Sequence, residues 1–291
     1  METTELLKKV RHIEIKARGL SRNIFAGEYH SAFKGRGMAF SEVREYQYGD
    51  DMRDIDWNVT ARYNRPYVKI FEEERELTVM LMIDVSESLG FGSRSVLKRD
   101  MVAEIAATLA FSAMQNNDKI GVIFFTDKIE KFIPPKKGKK HILFIIREIL
   151  GFQPESSGTD LNMALRYMTN AIKKRCTAFL ISDFIDPGNY QKALQIANNK
   201  HDVVAVQVYD QLSTELVPVG LMKVRDPETG EERWINSSSG KVREVYHNWW
   251  NSLQTNMSNA FRQSGVDSVS VSTESDYVKS LLQLFQQRRL H

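Results

Sequence analysis

The sequence has a single cysteine, Cys176, and this excludes an internal disulfide. With no second cysteine there is no pair to hold a structural zinc, and a lone thiol fits a reducing compartment. Long apolar runs are also missing. The run Leu77 to Val85 is cut by Asp84, and His141 to Leu150 is cut by Arg147 and Glu148. Neither approaches the roughly 20 apolar residues that span a bilayer. The N-terminus reads Met1-Glu2-Thr3-Thr4-Glu5, acidic where a secretory leader is basic. We therefore expect a cytoplasmic protein with no membrane span. Charge of one sign is scarce too: the formal net charge is +3, too small to point to nucleic acid. Several catalytic motifs are absent: no phosphate-binding Gly-x-x-x-x-Gly-Lys-Ser/Thr loop, no His-Glu-x-x-His and no Gly-x-Ser-x-Gly.

What is present is ordinary globular material. Hydrophobic residues make up 42% of 291 and charged residues 26%, which argues against disorder. A chain of this size buries roughly three quarters of its unfolded surface. Residues 1 to about 25 carry a partly helical apolar spacing through Leu6, Leu7, Val10, Ile13 and Ile15. Residues 28 to 76 are dense in charge and turn residues, yet hold Phe33, Phe40, Tyr46, Trp57, Tyr63, Tyr67 and Phe71. So many aromatics indicate an ordered segment packing on the main domain.

From Leu77 onward, strands and helices alternate. Leu77–Ile83, Ile120–Phe125, Ala178–Ile181, Val203–Val208 and Ser268–Val271 read as strands, and Ile129–Ile133 as an edge strand. Helical patterns fill Val96–Gln115, His141–Leu150, Leu161–Lys173, Tyr190–Asn198, Val242–Gln263 and Tyr277–Gln287. Such alternation predicts parallel βαβ units. A hairpin at about 215–236 interrupts it, turning at Asp226-Pro227-Glu228-Thr229-Gly230. The expected organisation is an N-terminal extension over 1–76 and an α/β domain over 77–291 carrying the hairpin insertion.

The chemistry gathers at three strand ends. The first apolar strand runs into Asp84-Val85-Ser86-Glu87-Ser88, one carboxylate and two hydroxyls on one tight loop. Ser156-Ser157-Gly158-Thr159-Asp160 leads into a helix, and the strand Ala178–Ile181 ends in Ser182-Asp183. In open α/β sheets, ligands bind outside the carboxyl ends of the strands. If the two strands are neighbours, Asp84, Ser86, Ser88, Thr159 and Asp183 converge. All five offer hard oxygen atoms, suited to Mg²⁺, Mn²⁺ or Ca²⁺ rather than zinc.

Singly, Ser86, Ser88, Thr159 or Asp160 is better read as a helix cap. The carboxylates resist that reading, because a charge at a buried strand end is costly unless paired or metal-bound. Asp54-Ile55-Asp56-Trp57-Asn58 opens like an EF-hand loop, but Val59 stands where Gly is needed and Arg65 where Glu is needed. Its acids are expected to pair with Arg53, Arg62 and Arg65. The run Lys136-Lys137-Gly138-Lys139-Lys140-His141 reads as a solvated loop, with an acidic partner as the alternative. Cys176 reads as core, and Trp249-Trp250 as one ring inward and one outward.

Asp-x-Ser-x-Ser, then a Thr, then an Asp at a strand end resembles the metal-ion-dependent adhesion site (MIDAS) of von Willebrand factor A (vWA) domains, with all five positions intact. The wider sequence also resembles one bacterial group. Its stretches are Gly35–Tyr46, Gly49–Asn58, Arg65–Lys69 and Glu72–Glu76. They are similar to the domain-of-unknown-function family fifty-eight, whose members carry a vWA core and are typically associated with MoxR-type AAA+ ATPases. The resemblance implies a Rossmann-like, three-layer α/β vWA domain with a mostly parallel sheet. It also implies a metal site at those five residues, a protein partner supplying an Asp or Glu to the metal, and an ATPase partner. The expected function is non-enzymatic binding. The alternatives are a Mg²⁺-dependent phosphotransfer enzyme with Asp84 as nucleophile, and a scaffold that binds no metal.

Overall fold

The computed structural model describes residues 3–21, 39–72, 77–90, 97–225 and 231–289. The end of the expected first helix, the glycines Gly35 and Gly37, residues 73–76 and the hairpin turn 226–230 lie outside the described residues. By its contacts the chain divides into two compact units, one of residues 1–33 with 77–291 and the other of residues 34–76.

The larger unit holds a six-stranded sheet. In chain order its strands are β3 (Thr78–Asp84), β4 (Lys119–Phe125), β5 (Ile129–Lys136), β6 (Thr177–Ser182), β7 (Asp202–Tyr209) and β10 (Asp267–Ser272). The spatial order is β10-β7-β6-β3-β4-β5. All neighbours are parallel except β4 and β5, which are antiparallel and leave β5 at an edge as expected. Every residue of β3 after Thr78 is buried, as are all six of β6. Strands covered on both faces read as continuous apolar runs, which is why the sequence pattern located them.

Side chains of a strand alternate between faces, and the two faces gather different helices. Val79, Leu81 and Ile83 join a core with α3 (Lys98–Gln115), α4 (Lys139–Gly151), α8 (Tyr277–Arg289) and α1 (Thr3–Leu20). Met80 and Met82 join α5 (Leu161–Ala171), α6 (Gln191–Lys200) and α7 (Gly240–Ser264). The result is three layers. Helix α3 follows β3 on one face and α6 follows β6 on the other, so the adjacent strands β3 and β6 flank a topological switch point. The fold class read from the sequence is therefore the one observed.

Helix α1 belongs to this unit. Ile13 and Ala17 are buried, and Lys9 and Lys16 pair with Asp100 and Glu104 of α3. Lys139, at the start of α4, pairs with Glu14 of α1, so that lysine of the basic run has a partner inside the chain. The hairpin insertion is β8 (Leu221–Arg225) against β9 (Glu232–Asn236). Trp250 is buried while Trp249 is 44% exposed, and Cys176 is buried just before β6.

The smaller unit pairs β1 (Ala39–Glu45) with β2 (Tyr67–Glu72), antiparallel, around a short helix α2 (Trp57–Tyr63). Asp56 caps α2, accepting from the amides of Asn58 and Val59, and pairs with Lys69 at 3.7 Å. Arg65 pairs with Glu45, and Arg44 forks onto Asp50 at 2.8 and 2.7 Å. This corrects the expected pairing of Asp56 with its neighbouring arginines. The cap uses one carboxylate oxygen locally, and the strand pairing brings a lysine to the other.

Candidate functional site

Asp84 ends β3 with no exposure. Its Oδ1 accepts the Ser86 amide at 2.9 Å, which folds the loop tightly, and its Oδ2 accepts the Ser182 hydroxyl at 2.6 Å. The Ser86 and Ser88 hydroxyls lie 3.0 Å apart, both buried. Asp183, 1% exposed, follows the last residue of β6. Its Oδ1 accepts the Ile185 amide at 3.2 Å. Since Ile83 pairs with Ile181 across the two strands, Asp84 stands level with Ser182, and Asp183 follows one residue beyond.

The third loop is tied to the first by main chain. The Glu87 amide donates to the Ser157 carbonyl at 3.3 Å, and the Asp160 amide donates to the Thr126 carbonyl at the end of β4 at 3.1 Å. Asp160 caps α5 through the Met163 amide at 2.8 Å. The cap is thus supplied by the residue after Thr159. Thr159 is 7% exposed, and its Oγ1 has no hydrogen-bond partner among the described residues. The helix-cap reading also fails for the two serines with respect to α3, which begins at Lys98, ten residues beyond Ser88.

Electrostatically the site buries two carboxyl groups. Burial, reinforced by the charge of Asp183, pushes the Asp84 carboxyl up to about 7 despite the hydrogen bonds from Ser182 and Ser86 that favour its ionised form. Among the described residues one cation meets Asp183. The Lys98 ammonium lies 3.0 Å from Asp183 Oδ2, with side-chain exposures of 3% and 1%. Around it, Arg225 of the hairpin approaches Glu87 at 3.9 Å, and Asp186 Oδ2 accepts the Leu161 amide at 2.8 Å.

Phe184, next to Asp183, has φ of 58°, in the left-handed region that costs a bulky residue free energy. Its amide donates to Ser182 Oγ at 2.9 Å and its ring packs edge-on to Phe261 at 5.0 Å. This strain is held by packing on both sides and turns the chain sharply after Asp183.

Sequence reasoning missed Lys98, Ser182 and Asp186. Ser182 stood beside Asp183, but nothing local reveals that its hydroxyl faces Asp84. Lys98 had one signal, a lysine in the first turn of an otherwise buried helix, where its charge opposes the helix dipole.

The donor set suits a hard divalent cation. It comprises two carboxylates and neutral hydroxyls, one of them buried and without a partner among the described residues. Among the described residues no three His, Cys, Asp or Glu side chains cluster, so hydroxyls must supply part of any coordination.

The three-layer α/β fold is of the vWA-like class. More narrowly, residues 42–255 match the family described as Protein of unknown function DUF58, and the chain belongs to that family. A relative in Mycobacterium tuberculosis (strain ATCC 25618 / H37Rv), the uncharacterized protein Rv1480, is 27% identical over 99% of this chain and 92% of its own length. Among solved structures, an aerotolerance-related membrane protein from Bacteroides fragilis aligns at a TM-score of 0.50 and 14% identity, over 74% of this chain and 98% of that one. The SpRpn10 VWA domain aligns at 0.37 and 11% identity, over 73% and 95%. These likenesses to solved structures concern the fold. Among the described residues no helix is long and apolar enough to cross a membrane.

Proposed function

We propose that the chain is a non-enzymatic protein-binding module. Its Asp84, Ser86, Ser88, Thr159 and Asp183 form a metal-ion-dependent adhesion site for Mg²⁺, or for Mn²⁺ or Ca²⁺, and a partner's Asp or Glu becomes the last ligand. The observation that carries this reading is the buried Thr159 hydroxyl, without a hydrogen-bond partner among the described residues while Asp160 does the capping. A buried hydroxyl without a partner costs free energy, and a cation bound there would offset it. When bound, the ion supplies a Lewis-acidic position for an anionic oxygen. The chain's own part is to hold the two carboxylates rigidly through Ser86, Ser182 and Ile185 and to keep water out of the loop bases.

Binding is favoured over phosphotransfer because Asp84 is fully buried with both carboxylate oxygens engaged. A nucleophile needs a free, approachable oxygen. Ser86 also stands where a second carboxylate would serve as general acid. The working partner we propose, from the family resemblance, is a MoxR-type AAA+ ATPase.

The test is thermal unfolding of EDTA-stripped protein titrated with Mg²⁺ and Mn²⁺. Wild type should gain about 2.7 kcal/mol at a hundredfold excess over Kd, with no gain in Asp84→Ala and a weakened response in Thr159→Val. A wild-type curve indifferent to both metals would sink the metal reading. Partner capture, run with and without EDTA, then asks whether the ATPase binds through the metal.

A further inference from the structure

Lys98 is where physical chemistry disfavours a lysine. It begins α3, so its charge opposes the helix dipole, and among the described residues no side chain caps that helix start. It is 2% exposed, so its ammonium has given up water. An ammonium is kept in such a place only when an anion answers it, and Asp183 Oδ2 does so at 3.0 Å. Asp183 is also one of the two carboxylates on which the metal reading depends.

The charges give the consequence. With both carboxylates ionised, Asp84, Asp183 and Lys98 sum to one negative charge. A divalent ion added beside Lys98 turns this to one positive charge in a dry site. The same ion with the two carboxylates alone would be neutral.

We propose that Lys98 is a resident counter-cation. It neutralises Asp183 when the site is empty of metal, and a divalent ion must compete with it for that carboxylate. Metal affinity is thereby held low, and an acidic partner that adds one more negative charge restores neutrality and secures the ion. Lys98 thus makes metal binding conditional on the partner. The inference rests on the metal-site reading and concerns the regulation of that site.

The experiment is calorimetric titration of the full-length, EDTA-stripped protein with Mn²⁺ alone, in the absence of any partner. Wild type, Lys98→Met, Lys98→Gln and Asp84→Ala are compared. Removing the like charge should tighten Mn²⁺ binding on the order of a hundredfold in both Lys98 variants, the scale of like-charge juxtaposition in a desolvated site. Lys98→Gln keeps an N–H donor for Asp183, so it carries the test if Lys98→Met does not fold without metal. Wild-type or weaker affinity in Lys98→Gln, with binding still lost in Asp84→Ala, would overturn the counter-cation role while leaving the site standing. No Mn²⁺ heat in wild type or in either Lys98 variant would overturn both.

Discussion

Replacing Asp84 with asparagine should stabilise the metal-free protein while ending its response to metal. The folded carboxyl titrates at about 7 against an ordinary 3.8, because burial and the charge of Asp183 disfavour its ionisation. Between those two values the folded state keeps a proton that the unfolded chain has released. The contribution of Asp84 to stability therefore falls as pH rises through that window and levels off above it. The difference of about 3 pH units, at about 1.4 kcal/mol each, makes the loss about 4 kcal/mol at pH 8. Asp84→Asn never ionises and escapes that loss. Its amide oxygen can still accept the Ser86 amide, and its amide nitrogen meets Ser182 Oγ, which already accepts from Phe184. In EDTA at pH 8 the variant should resist denaturant by up to about 4 kcal/mol more than wild type, and the gap should close toward pH 4. With excess Mg²⁺ wild type should recover part of the difference and the variant none. A less stable Asp84→Asn at pH 8 in EDTA would refute the reasoning, since the hydrogen bonds to the carboxylate would then outweigh its desolvation.

Two further predictions concern the body of the fold. The His201 ring is fully buried against Cys176 Sγ at 3.3 Å, and burial, with Lys200 and Arg175 nearby, pulls its titration down to about 4 from 6.5. His201 by itself contributes stability that is intact above pH 6.5 and lost progressively down to pH 4, by about 3 kcal/mol, against the opposite contribution of Asp84; in an Asp84→Asn background His201→Gln should flatten that part of a melting-temperature profile, and an unchanged profile would show that His201 is not the source. Gly121 lies in β4 where a Cβ would sit 2.8 Å from the Ile133 carbonyl oxygen and 2.9 Å from the Pro135 nitrogen, both backbone. Gly121→Ala should therefore cost about 3 kcal/mol or more in denaturant unfolding, and a loss under 1 kcal/mol would mean that β5 yields easily.

Much of the larger unit was legible because its physics is local. Residues such as Val79 to Ile83 form a short apolar run ending in a carboxylate, and Asp160 precedes a helical apolar stripe that it caps. The positions of Asp84 and Asp183 at strand ends follow from those runs alone. Their adjacency does not, since it depends on β6 inserting beside β3 rather than β4. Ser182 and Lys98 were hidden for the same reason: their partners lie 98 and 85 residues away. The segment around Asp56 misled because a cap and a cross-strand lysine satisfy it, and neither is visible in the spacing of neighbouring arginines.

The Arg288 side chain has a bearing on how the far edge of the sheet is held. Arg288 of α8 forks onto Asp202 at 2.6 and 2.7 Å, where β7 begins, and also pairs with Asp267, where β10 begins. The two outermost parallel strands on that side are thus clasped by one side chain. Arg288→Ala removes that clasp from both Asp202 and Asp267. The sheet's far edge should then loosen first, so Arg288→Ala should surface as protease-sensitive protein even though every residue of the candidate site is unchanged.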